Sequence, residues 1–382
     1  MESTEADNLS FVLNAIQDVS FQPRPVPKSL GDHEVLVEVK KTGICGSDVH
    51  FYKHGRIGPL VVEKPMVLGH ESSGIISQVG TKVTHLKPGD RVALEPGAVC
   101  NLCHECKIGK YELCGNIQFA ATPPQDGTLG RYYRLPAGVS YRVPDSMTLE
   151  DAAMIEPLSV AVHAVANIGD FRATQTIAVW GAGPVGLLCM AVAKALGAAR
   201  VIAIDIVPSR LEFAKNYAAT DVFLPPPTNP NESGMEYSKR CADTMMTEFG
   251  LQERGGANVV DVVVDASGAE PSIQTALHVV KVGGTFVQLG MGTADIQIPM
   301  TLMLIKEVTI KGSFRYGPGD YPFAISLVSQ GKVDLRPLVT HRFPFGQAIE
   351  AFKATQAGKS EDGKPVIKAI ISGPDVSPDD HM

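Results

Sequence analysis

Seven cysteines and ten histidines are spread along the 382 residues, but four of the cysteines fall together. Cys100-x-x-Cys103-x-x-Cys106-x7-Cys114 places four thiols within fifteen residues. Four thiolates at this spacing can wrap one tetrahedral zinc ion with no position left open, a structural rather than a catalytic arrangement. Two other readings share the pattern. Disulfides would need an oxidising compartment, and an iron–sulfur cluster is compatible with a spacing that is loosely ferredoxin-like. Cys189 falls in an apolar run and Cys241 in a helical one, and both read as inert packing residues.

A second constellation is dispersed. Gly43-Ile44-Cys45-Gly46-Ser47-Asp48-Val49-His50 and Gly69-His70-Glu71 are apart in sequence but could meet in space. Cys45, His70 and Glu71 would offer zinc a thiolate, an imidazole and a carboxylate, leaving a fourth position for water or substrate. Glu156 sits in an apolar run, where an unpaired carboxylate is costly, so it reads as a ligand or as a group orienting what fills that position. Asp48 would fix the tautomer of His70 or pair with a cation. Ser47 and His50 could relay a proton to solvent or simply lie at the surface. Taken singly, a cysteine near glycines or a lone histidine is as compatible with packing as with catalysis.

The third constellation is Gly181-Ala182-Gly183-Pro184-Val185-Gly186, between an expected strand and an expected helix. In that context each glycine has a task. Gly181 makes the tight turn, Gly183 lets backbone approach a pyrophosphate, and Gly186 lets helix and strand pack closely. Asp205 ends the next strand, nineteen positions after Gly186. A carboxylate there accepts from ribose hydroxyls and repels the extra phosphate of NADP, which predicts NAD. Arg210 is the counter-signal; it would pack on adenine or pair with Asp205.

These groups need elements to hold them. Glu34 to Lys40 alternates polar and apolar residues, the period of a half-buried strand, and Gly74 to Gly80 and Asp90 to Leu94 read as further strands. From Ile177 onward, apolar strands (177–180, 201–204, 259–265, 285–289, 308–311) alternate with helices such as 185–196, which predicts a parallel sheet covered on both faces. Pro225 to Gly234 is a loop by composition, short strands and turns return after Gly312, and the tail after Gly373 is expected to be mobile. With 44% hydrophobic and 20% charged residues the chain reads as globular, and a net charge of −7 argues against nucleic acid and anionic membranes. Thr174 to Ala193 carries no charge but contains the glycine turn, which suits strand-turn-helix better than a membrane span. Met1 to Asp7 is acidic, without the apolar core of a leader, and His381-Met382 read as a cloning remnant.

Lys41-Thr-Gly-Ile-Cys-Gly-Ser-Asp-Val-His50, His54-Gly-Arg-Ile-Gly58, Pro65-Met-Val-Leu-Gly-His-Glu71, Phe119-Ala-Ala-Thr-Pro-Pro124 and Ile155-Glu-Pro-Leu-Ser-Val160 occur in this order. They are followed by the Gly181 turn, Ser267-Gly-Ala-Glu-Pro-Ser-Ile273 and Lys311-Gly-Ser-Phe-Arg-Tyr316. From about Leu9 to Gly373 the chain resembles the polyol branch of the zinc-containing medium-chain dehydrogenases. The resemblance implies an α/β protein: a GroES-like β-rich catalytic domain over 1–160 with the cysteine lobe at about 97–118, a Rossmann domain with a doubly wound parallel sheet over 161–312, a return to the catalytic domain over 313–373 and a tail over 374–382. It places the active site in the cleft between domains.

The same resemblance implies two zinc ions per chain, a catalytic one on Cys45, His70 and Glu71 and a structural one on Cys100, Cys103, Cys106 and Cys114. Glu156 would stand beside the zinc-bound water. Arg315 and Tyr316 would hold polyol hydroxyls, and Phe51 would line the substrate pocket where many sorbitol dehydrogenases have Tyr. Val185, Asp205, Arg210, Leu289, Gly290, Met291, Ser313, Phe314 and Arg315 would contact NAD. The implied activity is reversible transfer of hydride from a secondary alcohol of a polyol to NAD, with xylitol the first expected substrate and sorbitol and L-arabinitol the near alternatives. The resemblance also implies a homotetramer, with a dimer the alternative, and the free thiols and absent leader predict a cytoplasmic protein.

Overall fold

The structure is a computed structural model that describes residues 8–26 and 29–380. The expectations for Met1 to Asp7 and for His381-Met382 fall outside the described residues. The chain divides into two compact units, Met1–Glu156 with Gly317–Met382, and Pro157–Tyr316.

The first unit is built on β1 (Glu34–Gly43), β2 (Glu71–Val79), β3 (Arg91–Leu94), β4 (Tyr132–Pro136) and β5 (Ser140–Arg142). Strands β2, β3 and β5 follow one another from one edge of β1, and β4 pairs with the other edge along Glu34 to Glu38. Val35, Val37 and Val39 enter a core with Ile76, Val92 and Leu94, as the alternation predicts. Leu36 and Lys41 on the other face are also buried, each 1% exposed, while Glu34, Glu38 and Lys40 stay half-buried. Strand β2 begins at Glu71, three residues earlier than expected, and this puts Glu71 on the sheet. Helix α1 (Gly46–His54) follows β1 and stops at Gly55, whose φ of 67° is the left-handed conformation of a helix C-terminus.

Helix α2 (Ile155–Val162) crosses the boundary and continues as a π-helical stretch, His163–Ile168. The second unit then alternates β6 (Thr176–Trp180), α3 (Pro184–Ala195), β7 (Arg200–Ile204), α4 (Pro208–Tyr217) and β8 (Asp221–Phe223). After α5 (Gly234–Phe249) come β9 (Val260–Asp265), α6 (Glu270–Val279), β10 (Val280–Gln288), α7 (Met300–Lys306) and β11 (Thr309–Gly312). All pairings are parallel, in the order β8-β7-β6-β9-β10-β11. Counted within the unit this is 3-2-1-4-5-6, the order of dinucleotide-binding sheets, with its reversal between β6 and β9. The uncharged run 174–193 resolves into β6, the glycine turn and α3, and no helix among the described residues is long and apolar enough to cross a membrane.

The chain returns to the first unit through α8 (Asp320–Ser329), β12 (Val339–Phe343), α9 (Ala348–Ala357) and β13 (Lys368–Ser372). One feature corrects the sequence reading. This segment holds two ten-residue helices as well as strands. The period of α9 is written in Ala348, Ala351 and Phe352, which pack on Phe11, Tyr52 and Ile371. The described part of the tail, where mobility is expected, makes contacts with the first unit. Lys41 Nζ donates to the carbonyls of Ser377 and Pro378 at 3.4 Å each, Arg131 pairs with Asp375, and Val376 is buried. Strand β13 is antiparallel to Lys41–Gly43 of β1, so the last strand completes the edge that β4 begins.

Candidate active site

The β1–β2 ladder pairs Gly43 with Glu71, and Cys45 and His70 lie just beyond that pair. A Cβ at Gly43 would stand 2.3 Å from Glu71 Oε2, so a larger residue there would displace the Glu71 carboxylate. Cys45 is the extended residue before α1. One ligand atom from each of Cys45, His70 and Glu71 lies within 4.8 Å of the others. Asp48, in the first turn of α1, approaches His70 Nδ1 to 3.3 Å with Oδ2 and accepts from the Gly69 N–H at 2.9 Å with Oδ1. That contact fixes the imidazole and leaves Nε2 for the site. Burial opposes a charge on His70, but Asp48 and then Cys45 more than offset it and hold its pKa well above the ordinary value. Surroundings that favour positive charge at this position suit a cation equally, and a thiolate, an imidazole and a carboxylate are the donor types zinc takes.

A partner that sequence reading missed completes the group. Lys368, on β13, donates to both Glu71 oxygens at 2.7 and 2.6 Å and to the Ile44 carbonyl at 3.1 Å. Burial alone would depress the Lys368 ammonium, but Glu71, Cys45 and Glu156 outweigh it and raise its pKa. Glu156 is buried in the same unit, and its charge reaches Lys368. Nothing near position 368 in the sequence points to residue 71; only the β1–β13 ladder joins them.

The other candidates from this region differ in placement. Ser47 is half-buried on α1. His50 is exposed, with Nδ1 2.9 Å from the Arg56 carbonyl and its ring 4.7 Å from that of His54. Phe51 is 3% exposed and packs in the hydrophobic cluster with Phe11, Ile44 and Leu68. Arg315 and Tyr316 belong to the second unit. The Arg315 guanidinium lies 4.6 Å over the exposed Phe314 ring, its backbone is left-handed (φ 58°), and Tyr316 is buried.

The four cysteines of the lobe also converge, with sulfurs within 4.8 Å of one another. The Cys100 sulfur accepts from the N–H groups of Leu102 and Cys103 at 3.4 and 3.3 Å, and these bonds lower its pKa to about 6. Four converging sulfurs, one already biased to thiolate, fit a closed tetrahedral zinc site. All seven cysteines are unpaired by disulfides. Glu95, also missed from sequence, ties the lobe down. Its Oε1 accepts from Tyr111 of the lobe at 2.7 Å and its Oε2 from Tyr141 of β5 at 2.8 Å. Burial pushes the Glu95 carboxyl up to about 6 against the two phenols.

In the second unit, Gly181 has φ 91°, and a Cβ at Gly186 would stand 1.8 Å from the Gly181 carbonyl oxygen. A Cβ at Gly183 would meet nothing within 4 Å, so the helix N-terminus at α3 faces open space beside half-buried Val185. That is a cradle for a pyrophosphate. Asp205 is nearly buried and accepts from the Ala182 N–H at 2.8 Å and the Val207 N–H at 2.9 Å. Arg210 Nη1 lies 3.9 Å from it. Leu289 and Gly290 donate to the Asp265 carbonyl at 3.0 and 2.7 Å, Met291 is 70% exposed, and the Ser313 N–H donates to the Gln288 carbonyl at 2.9 Å.

Comparison with known proteins agrees with this geometry. Residues 31–145 match the alcohol dehydrogenase GroES-like domain, and residues 184–330 match the zinc-binding dehydrogenase domain. The chain is 51% identical over 374 residues to D-xylulose reductase A of Aspergillus niger, covering 98% of this chain and 99% of that relative. Among solved structures, L-idonate 5-dehydrogenase of Escherichia coli superposes with a TM-score of 0.82 at 27% identity, covering 96% of this chain and 98% of its own. A short chain alcohol dehydrogenase of E. coli complexed with NADH also gives 0.82, at 26% identity, covering 96% of this chain and 99% of its own. The chain therefore belongs to the zinc-binding dehydrogenases that carry an alcohol dehydrogenase GroES-like domain.

Proposed function

We propose that this chain interconverts xylitol and D-xylulose, with NAD as hydride acceptor. The observation that carries this is the convergence of Cys45, His70 and Glu71 in a chain 51% identical, over nearly its whole length, to D-xylulose reductase A. Asp205 at the end of β7 supports NAD over NADP by charge repulsion.

Cys45 Sγ, His70 Nε2 and a Glu71 oxygen would hold the catalytic zinc, and the four lobe thiolates a second, structural one. The catalytic metal would supply Lewis acidity for a substrate hydroxyl, and the nicotinamide ring the hydride acceptor. Asp48 keeps His70 in the ligating orientation. Lys368 holds Glu71 by both oxygens and offsets the cost of its burial. Ser47 would pass the hydroxyl proton toward His50, whose Nε2 remains available while Nδ1 faces the Arg56 carbonyl. Arg315 and Tyr316 would bind the remaining hydroxyls, with Phe51 shaping the pocket wall. A site built to hydrogen-bond hydroxyls rejects analogues that lack them, so ethanol should turn over poorly.

The assembly we propose is a homotetramer, supported by exposed Met300, Leu304 and Ile305 on α7 next to the edge strand β11. A reducing, cytoplasmic location is supported by the need to keep the lobe thiols free. The test is NADH formation by zinc-loaded protein with xylitol, D-sorbitol, L-arabinitol and ethanol side by side. Fastest turnover of xylitol with NAD is expected. Preference for L-arabinitol or sorbitol would change the substrate, and no polyol turnover would overturn the reading.

A further inference from the structure

Two loops leave the carboxyl ends of adjacent strands in the second half of the parallel sheet. One follows β9, from Ala266 to Ala269; the other follows β10, from Leu289 to Gly292. They are locked together at backbone level. A Cβ at Gly268 (φ 69°) would lie 2.5 Å from the Met291 carbonyl carbon, one at Gly290 2.4 Å from the Gly268 nitrogen, and one at Gly292 1.8 Å from the Gly268 oxygen.

Between them stands Asp265, the last residue of β9, with no exposed surface. Its Oδ1 accepts from the Ser267 hydroxyl at 2.7 Å and the Ser267 N–H at 3.4 Å. Its Oδ2 accepts from the Gly268 N–H at 2.8 Å and from Gln288 Nε2 at 2.7 Å. Gln288 Nε2 also donates to the Gly290 carbonyl at 2.8 Å, so the pair bridges both loops. All four donors are neutral. A buried carboxylate held by neutral donors is a costly anchor, and burial pushes the pKa of this one up despite them.

Where that anchor sits suggests its purpose. In a 3-2-1-4-5-6 sheet the dinucleotide lies across the reversal between strands 1 and 4. The Gly181 turn and Asp205 serve the strand 1 and 2 side, which takes the pyrophosphate and the adenosine ribose. The loops after strands 4 and 5, here β9 and β10, face the other mononucleotide. We propose that Asp265 and Gln288 are positioning residues for the nicotinamide half of the cofactor, acting through the two glycine-locked loops. This rests on the reading of the second unit as a nicotinamide dinucleotide site.

The test compares NADH and ADP as ligands, by fluorescence for NADH and calorimetry for ADP, on the zinc-loaded full chain. Asp265→Asn places an amide N–H₂ where donors now point, and Gln288→Ala removes the bonds to both Asp265 Oδ2 and the Gly290 carbonyl. Each should weaken NADH about tenfold or more, because buried groups that hold the two loops lose their hydrogen-bond partners: donors in Asp265→Asn, acceptors in Gln288→Ala. ADP affinity should stay within about twofold and zinc content should not change. In turnover, KM for NAD should rise more than kcat falls. Equal weakening of NADH and ADP, or no change in either, would overturn the proposal. If Asp265→Asn does not fold, Gln288→Ala and Ser267→Ala carry the same comparison. A wild-type chain that binds neither ligand would overturn the cofactor reading itself.

Discussion

Two thiol-bearing clusters sit in the first unit, and they are assembled in opposite ways. In the lobe, four cysteines within fifteen residues meet through one short helical turn and its flanking loops, and all four side chains point at one another. In the other cluster, Cys45 precedes a helix, His70 precedes a strand that Glu71 starts, and the Lys368 that holds Glu71 comes 297 positions later. The local cluster has four like donors and closes on itself. The dispersed one has three unlike donors, with a counter-charge and a fixed imidazole supplied from further elements. A site that only has to hold a metal can be written locally; one that must leave room for substrate is built from several walls of the fold.

That contrast can be broken by substitution. Cys45→Ser should abolish turnover and lower bound zinc by one ion per chain, with the thermal midpoint nearly unchanged. Cys100→Ser should also cost one zinc ion, but with a fall in the midpoint and early proteolysis within 97–118. Metal analysis alongside melting curves separates the two; a stable, active Cys45→Ser would refute the assignment. Lys368→Met should come next in size. It strands the Glu71 carboxylate in the interior, where breaking a buried pair costs about 3–5 kcal/mol, and denaturant titration would measure it.

The smallest effect sharpens the comparison at the lobe's anchor. Glu95 has its pKa raised from 4.5 to about 6. An acid whose folded pKa is raised contributes stability below its unfolded pKa and loses it as pH rises through the folded one. Glu95→Gln does not titrate. Its stability relative to wild type should therefore climb between about pH 4.5 and 6 and level off above, with a total change of about 2 kcal/mol. A difference that stays flat across that window would show that Glu95 does not titrate as a buried carboxyl.

What the sequence made legible follows the same division. The glycine turn, Asp205, the parallel sheet and the four-cysteine lobe all announce themselves within short windows, because turn chemistry and strand–helix alternation are local. Cys45, His70 and Glu71 were visible as types, but their meeting depends on the pairing of Gly43 with Glu71, which no spacing encodes. Lys368, Glu95 and Asp265 were passed over, since a buried lysine or carboxylate looks like any surface charge until its partners are known. The contacts of the tail are illegible for the same reason: Lys41, buried on the far face of β1, donates to the Ser377 and Pro378 carbonyls.

The place of Lys368 on the last strand has a consequence for how the protein is made. Translation delivers the lobe whole by Cys114 and the cofactor turn by Gly186, long before β13 exists. Until then Glu71 has no ammonium beside it and the Lys41–Gly43 edge of β1 is unpaired, both of which oppose closure of the first unit. The middle unit must therefore be threaded out and set aside before the unit that precedes it can finish. A nascent chain halted short of residue 368 would carry every proposed zinc ligand and still have no completed catalytic centre.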